Sequence, residues 1–387
     1  MLFKTSLITL LFTLLLLPEY ILSCTTVSVQ SDDGNTVIGR TMELGNLILL
    51  PKWYLVAHPR GTAKSGHGLN TIGYVSIDVL ASNEPKFSLD TVSEGMNEFG
   101  LGVSCQTMRG ARYQDERKEE LGDLKKVRLE FIHLAAELLG HCETVEDAID
   151  MLKNKLYIHG KRLPSGSRLH WSISDANSDM ISVEYVEGEL QIRDNKSVGV
   201  FTNDPTFDWH VTNLNNYVGV GAGWPEENEV VAVEVDVRVP GLPTTTVPTN
   251  VGHGHNLEGI SGSMSPPSRF VMMFLLKQHA IAALGNPVDT TAAVSVVTGL
   301  LNKVYIVRGT VPSEPKKLKA VYENSLELTH WATIKIPKER GFMWRSYNNQ
   351  RWRRIDLNDI DFGLEAGAFK PIQISVEGED GIEEVAF

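Results

Sequence analysis

The strand and helix signals of this chain come in blocks rather than in alternation, and that ordering restricts the fold more than any other feature. The first block opens with period-two patterning over 24–30 (Cys-Thr-Thr-Val-Ser-Val-Gln), the turn cluster Ser31-Asp32-Asp33-Gly34-Asn35, and a second run over 36–42 (Thr-Val-Ile-Gly-Arg-Thr-Met). Two such runs around an Asp-Gly turn predict a hairpin, which sets Arg40 on the strand beside Cys24. Further strands are predicted at 71–79 and 102–106. A helical zone follows over 124–156, where Val127, Phe131, Leu134, Ala135 and Leu138 recur at helical spacing. Gly140 interrupts it, and Thr144 with Asp147 has the spacing of a cap for a second helix. Strands resume at 170–174, 180–186 and 189–193. Ser265-Pro266-Pro267 starts a helix reaching 284, another spans 290–301, and strands return at 304–307, 328–336 and 341–347. This order is not the βαβ alternation of a doubly wound sheet. It suits antiparallel sheets covered by helices, an α+β arrangement in a single domain over 24–387. The Pro/Gly/Thr-rich stretch 239–262 reads as a long surface loop within that domain.

The segment before that domain is of another kind. Lys4 precedes an apolar run over 7–17 broken only by Thr9 and Thr13, and Pro18 ends it. The run is too short to span ~30 Å of hydrocarbon, so residues 1–23 read as a cleavable secretory signal, and the protein as secreted or periplasmic. No later stretch approaches the length of a stable membrane span. The 36 basic and 48 acidic residues, a net charge of −12, argue against nucleic acid as a partner. With 42% hydrophobic residues the chain can bury a core. It has 3 cysteines, Cys24, Cys105 and Cys142. Export makes a Cys105–Cys142 bridge permissible, but nothing in the spacing requires it.

Cleavage after Ser23 would make Cys24 the first residue, and three readings compete. Cys24 can merely lie near the cut. It can be the lipidated cysteine of a lipoprotein or binding module without catalysis, which Leu22 fits poorly because small residues are usual there. Or it can be a nucleophile whose own α-amino group is the base. An α-amine titrates near ~7.7 and accepts a proton at neutral pH, and a thiol near ~8.5 is readily deprotonated.

The residues that follow favour the third reading. Cys24-Thr-Thr-Val-Ser-Val and Gly39-Arg40-Thr41-Met42-Glu43 are followed in order by Glu94-Gly95-Met96-Asn97-Glu98-Phe99-Gly100-Leu101, then Phe201-Thr202-Asn203-Asp204-Pro205 with Trp209-His210 and Asn213-Leu214. Ser265-Pro266-Pro267-Ser268-Arg269-Phe270 comes next, and Thr329-His330-Trp331 and Tyr347-Asn348-Asn349 close the series. This series resembles the choloylglycine hydrolase family of bile salt hydrolases and penicillin V acylases, which are N-terminal nucleophile hydrolases, over nearly all of 24–365. The resemblance implies a four-layer αββα sandwich, no cofactor, a tendency to homotetramers, and a small-molecule N-acyl amide substrate. Penicillin V, conjugated bile acids, acyl-homoserine lactones and N-acyl amino acids all qualify. It implies Cys24 as nucleophile, Arg40 beside the sulfur favouring thiolate, Asn203 donating to the oxyanion, and Arg269 completing the polar network. It also implies pocket walls from 42–50 and 106–112.

Two positions depart from the family pattern. Glu43 stands where the family has the Asp that orients the α-amine. Thr107 stands, by ungapped count from Asn97, where a second oxyanion Asn or a Tyr is usual. Three other features carry less. His253-Gly254-His255 lacks the Asp or Cys neighbours of a metal site. Arg345, Arg351, Arg353 and Arg354 among Trp344 and Trp352 read as a solvated strand pair, and the acidic stretch 377–384 as a mobile end.

Overall fold

The structure, a computed structural model, describes residues 22–45, 52–62, 68–80, 88–114, 126–163, 168–220, 234–237, 245–248, 257, 259–312, 326–365 and 368–374. The apolar segment 1–21, most of 239–262 with His253 and His255, pocket-wall residues 46–50 and the tail 377–384 lie outside them. The predicted hairpin forms. Strands β1 (Leu22–Gln30) and β2 (Thr36–Gly45) pair antiparallel, with Cys24 opposite Met42 and Thr26 opposite Arg40. β12 (Val200–Phe201) flanks β1, and β16 (Leu326–Ile336), β17 (Gly341–Ser346) and β18 (Arg353–Asp356) continue beyond β2, with β15 (Val311–Pro312) at the edge of β16.

A second sheet runs β11 (Glu189–Asp194), β10 (Met180–Val186), β9 (Leu169–Ser174), β6 (Gly102–Thr107), β5 (Ser88–Asn97), β4 (Tyr74–Leu80), β3 (Lys52–His58), β19 (Ile372–Gln373). Two pairs stand apart, β7 (Val127–Glu130) parallel to β8 (Leu156–His159), and β13 (Glu234–Val237) against β14 (Thr245–Pro248). The helices are α1 (Leu134–His141), α2 (Val145–Asp150), α3 (Phe207–Asn213), α4 (Pro266–Leu284) and α5 (Thr290–Lys303).

Strand alternation sorts the apolar residues into three cores and so sets the layers. On β1, Val27 and Val29 face α4 and α5, packing with Phe270, Met273, Val297 and Leu301. Cys24 faces the other way, into a core between the sheets with Met42, Val75, Ile77, Met96 and Trp331. On the far side of the second sheet, Val103, Trp171 and Tyr185 pack against Leu134, Leu138 and Leu139 of α1. The result is the αββα sandwich. Gly39 keeps α5 close to β2: a Cβ there would stand 2.3 Å from Val297 Cγ1 and 2.9 Å from Leu301 Cδ1.

The structure corrects several boundaries. The helical zone over 124–156 is interrupted at both ends by strand: 127–130 is β7 and 156 begins β8, with Val127 exposed rather than on the buried stripe. Residues 304–307 form no strand; Val304 caps α5, and Ile306 exchanges hydrogen bonds with Thr329 through its N–H and C=O. Residues 245–248, inside the expected loop, form β14. β3 and β5 escaped the patterning. Arg345 is buried and lies over Trp352, with Arg353 over Trp344, so that pair of strands is not merely solvated. Cys24, Cys105 and Cys142 are all free thiols. Among the described residues no helix is long and apolar enough to cross a membrane.

Candidate active site

Cys24 sits near the start of β1, where the two sheets and α4 meet, and each of its polar atoms is held from a different direction. Its N–H donates to Asn203 Oδ1 at 2.7 Å, and its carbonyl accepts from Arg269 Nη1 at 2.6 Å. Its sulfur lies 3.5 Å from Arg40 Nη2 and 3.6 Å from Met42 Sδ. Because β1 runs on through Ser23, which pairs with Glu43, the Cys24 nitrogen here is a peptide nitrogen.

Local sequence explains how the partners arrive. Arg40 is two residues from Met42, the register partner of Cys24, so it shares the face of the sulfur. Its guanidinium is anchored on the facing sheet by the Cys105 carbonyl and by Glu94, whose Oε2 is 3.2 Å from Nη1. Asn203 leaves β12 two residues after Phe201 pairs with Thr26. His210 of α3 fixes its backbone, Nε2 lying 2.9 Å from the Asn203 carbonyl. The Asp204 carboxylate accepts the N–H groups of Arg109 and Gly110, both at 2.9 Å, and pins the 107–110 segment beside it. Asn203 Nδ2 therefore donates to Thr107, at 2.9 Å to the carbonyl and 3.0 Å to Oγ1. The Asp204–Pro205 peptide bond is cis.

Arg269 comes from the first turn of α4, begun by the Ser265 cap and two prolines. It donates to Met264 O at 3.0 Å, to Asn203 Oδ1 at 2.9 Å and to the Thr25 hydroxyl.

Glu43 lies on the α4 side of β2. A bulge in β16 brings its partner into place. Thr329 opposes Glu43, but Trp331, not His330, opposes Met42. The extra residue sends Thr329 and Trp331 to opposite faces, and Thr329 Oγ1 donates to Glu43 at 3.0 Å.

Burial dominates the electrostatics. It pushes the Cys24 thiol up to about 11, although Arg40 and, less strongly, Arg269 pull it down. The sulfur of the peptide-bonded chain is thus a thiol, not the resting thiolate that a neighbouring guanidinium alone would give. Burial also raises Glu43 to about 7 against the pull of Arg269, and raises Glu327, which accepts hydrogen bonds from Ser23. Arg269 is lowered by burial, yet a guanidinium stays charged at any physiological pH.

Cys24, Arg40, Asn203, Arg269 and Thr107 thus form one hydrogen-bonded constellation, with Glu43 beside it. Asn203, expected as an oxyanion donor, has its amide N–H groups on Thr107 and its oxygen on Cys24 and Arg269. Of the expected pocket walls, Met42, Glu43 and Thr107 lie in this constellation, and Arg109 and Gly110 bind Asp204 next to it. Glu94 and Thr329 stand in the motif series with no role attached to them, and nothing in the sequence singles out Lys335 or Glu327, residue types that usually face solvent. The Asn97 motif proves to be a turn, with Asn97 Oδ1 accepting the N–H groups of Phe99 and Leu101. Among the described residues no cluster of His, Cys, Asp and Glu could hold a metal ion.

Comparison with known proteins bears on this constellation. The family model for linear amide C-N hydrolases, choloylglycine hydrolase family, matches residues 24–369. A bile salt hydrolase/transferase from Clostridium perfringens is 28% identical over 343 residues, covering 87% of this chain and 92% of that protein. A penicillin V acylase from Pectobacterium atrosepticum is 30% identical over 143 residues, 36% of this chain and 37% of its own. A solved variant of the Clostridium perfringens conjugated bile acid hydrolase superposes with TM-score 0.69 at 23% identity, over 94% of this chain and all of that one. Penicillin V acylase from Agrobacterium tumefaciens gives 0.61 at 21% identity, over 90% of each chain.

Proposed function

The chain belongs to the choloylglycine hydrolase family and is an amidohydrolase of linear amides, and from that premise we propose that Cys24, with its α-amino group freed by removal of residues 1–23, is the nucleophile. The observation that carries the reading is the grip on Cys24: Asn203 on its nitrogen, Arg269 on its carbonyl and Arg40 on its sulfur.

The reaction follows from those contacts. As the sulfur attacks the amide carbonyl, an S–C bond forms and the thiol proton passes to the α-amine, whose ordinary value near ~7.7 suits a base at neutral pH. Arg40 stabilises the sulfur's developing charge. Asn203 Nδ2, on releasing the Thr107 oxygens it donates to here, supports the oxyanion together with the Thr107 hydroxyl, where one good donor is worth about 3–4 kcal/mol. The C–N bond then breaks, and the leaving amine takes the proton from the α-ammonium. Water, deprotonated by the same amine, attacks the thioester, the S–C bond breaks, the α-ammonium returns its proton to the sulfur and the carboxylic acid leaves. Arg269 and Glu43 hold the amine and the first peptide in place. The substrate is an N-acyl amide of the kind the relatives are named for, a conjugated bile acid or penicillin V, or an acyl-homoserine lactone. The enzyme works after export, as a secreted or periplasmic protein.

The test is amine release from a panel of these amides by the chain beginning at Cys24. Cys24→Ala is expected to keep the circular-dichroism spectrum and lose turnover on every substrate that wild type cleaves. Amine release by Cys24→Ala at the wild-type rate would overturn the assignment.

A further inference from the structure

On the side of Arg40 away from α4 lies a charged cluster that the mechanism above does not use. Glu94 on β5 and Lys335 on β16 are buried, as is Arg40. One Glu94 oxygen faces Arg40 Nη1 at 3.2 Å, and the other is ion-paired with Lys335 Nζ. Ser104 Oγ donates to Glu94 at 3.1 Å and accepts from Lys335 Nζ at 2.9 Å. Gly102 makes room for the lysine stem: a Cβ there would stand 3.2 Å from both Lys335 Cδ and Cε.

Three charges between two sheets are a poor device for stability, since apolar residues of similar volume usually do as well or better. Their sum is informative. Two cations share one carboxylate, so one positive charge is left over, and it lies at the Arg40 guanidinium that touches the Cys24 sulfur. Without Lys335, Glu94 would neutralise Arg40. Cys105 also sits near Arg40, but its own thiol is pushed up to about 12 by burial and donates to the Val92 carbonyl. Glu43 also acts on Arg40, but less strongly than the Cys24 sulfur, which is in contact with the guanidinium and is the group that answers the excess first.

We propose that Glu94 and Lys335 are positioning residues for the thiol chemistry: Glu94 anchors Arg40 against the sulfur, and Lys335 balances Glu94 so that the charge of Arg40 remains available to the Cys24 thiolate. The proposal rests on Cys24 being the nucleophile. The other charged groups facing Cys24 are Glu43 on β2, Arg269 on α4, Glu327 on β16 and its own α-amine; none contacts Glu94 or Lys335.

The experiment follows carbamidomethylation of Cys24 by iodoacetamide as a function of pH, located by peptide mass spectrometry, in the chain beginning at Cys24. Lys335→Met is expected to raise the midpoint by about one pH unit and slow alkylation about tenfold below it. Lys335→Arg should restore the wild-type midpoint, and so should Lys335→Met combined with Glu94→Gln. A profile unmoved by Lys335→Met, or moved as far in the double variant, overturns the proposal. If Lys335→Met does not fold, the double variant is compared directly with wild type: a matching midpoint supports the proposal and a raised one overturns it. Failure of the hydrolase reading is separable. Wild type inactive on every amide but showing these shifts sinks that reading alone, and active wild type with unmoved alkylation sinks this one alone.

Discussion

Arg269→Met tests how the site is held. Methionine keeps most of the apolar stem and removes the guanidinium. Four acceptors lose a donor: Cys24 O at 2.6 Å, Asn203 Oδ1 at 2.9 Å, Met264 O at 3.0 Å and the Thr25 hydroxyl. Thr25 can reorient, and Asn203 Oδ1 keeps the Cys24 N–H. The Cys24 carbonyl is left most exposed to the loss, in a fully buried position. A buried acceptor stripped of its partner costs about 1–3 kcal/mol, and loss of a buried charged partner about 3–5, so about 3 kcal/mol is expected at pH 5. The loss should grow with pH. Glu43 titrates at about 7 in the folded chain against 4.5 unperturbed, with Arg269 the strongest group opposing that rise. A carboxyl whose folded value is raised stabilises the fold fully below its unfolded value, and that contribution drains away as pH climbs through the folded value. Removing Arg269 lifts the folded value further, so the drain continues above pH 7 at about 1.4 kcal/mol per unit. The deficit at pH 8 should therefore exceed that at pH 5 by about 1 kcal/mol. Urea unfolding followed by tryptophan fluorescence at the two pH values measures both. A deficit under about 1 kcal/mol, or one equal at pH 5 and 8, would refute the reasoning.

Two further outcomes follow from the same linkage. Glu43→Gln removes the ionisation cost outright. The variant should match wild type near pH 4.5 and exceed it at pH 8 by up to about 3 kcal/mol, the energy of a rise from 4.5 to about 7; thermal melts at the two pH values check it, and a variant less stable at pH 8 would count against it. His330 is depressed from 6.5 to about 4 by burial, its ring 3.2 Å from the Leu44 carbonyl. Its contribution is present above pH 6.5 and lost as pH falls towards 4, so His330→Gln should shrink the acid-side fall in unfolding free energy, measured by urea titration, by about 3 kcal/mol. An unchanged acid limb would show that the imidazole is not held neutral.

What the sequence made legible was local. The β1–β2 hairpin rests on a turn and two short alternating runs, and it alone brings Arg40 onto the face of Cys24. The helical zone failed where its signal was borrowed. Val127 fits the helical count from Phe131, but 127–130 is committed to a parallel pairing with 156–159 that no local pattern announces. β5 was missed because Asp90 and Glu94 spoil its alternation. Glu94 is tolerable inside only because Arg40 and Lys335 meet it from strands 54 positions before it and 241 after it in the sequence, and charge pairing at such distances leaves no trace in periodicity. The bulge at His330 is equally silent, yet it decides that Thr329 reaches Glu43.

The site raises a point that residue identity could not. Arg40 beside the sulfur suggests a ready thiolate, but burial outweighs it and holds the thiol at about 11. An α-amine near ~7.7 lies about 3 units below, so moving the proton from sulfur to amine costs about 4 kcal/mol, a cost that an attacking step with oxyanion stabilisation can absorb. A peptide nitrogen offers no such acceptor at any accessible pH. With Ser23 attached, Cys24 has Asn203, Arg269 and Arg40 in place around it and no base. On the reading proposed above, the contacts around Cys24 are therefore not sufficient, and breaking the Ser23–Cys24 bond, by supplying the amine, is the step that would convert a buried, well-held thiol into a nucleophile.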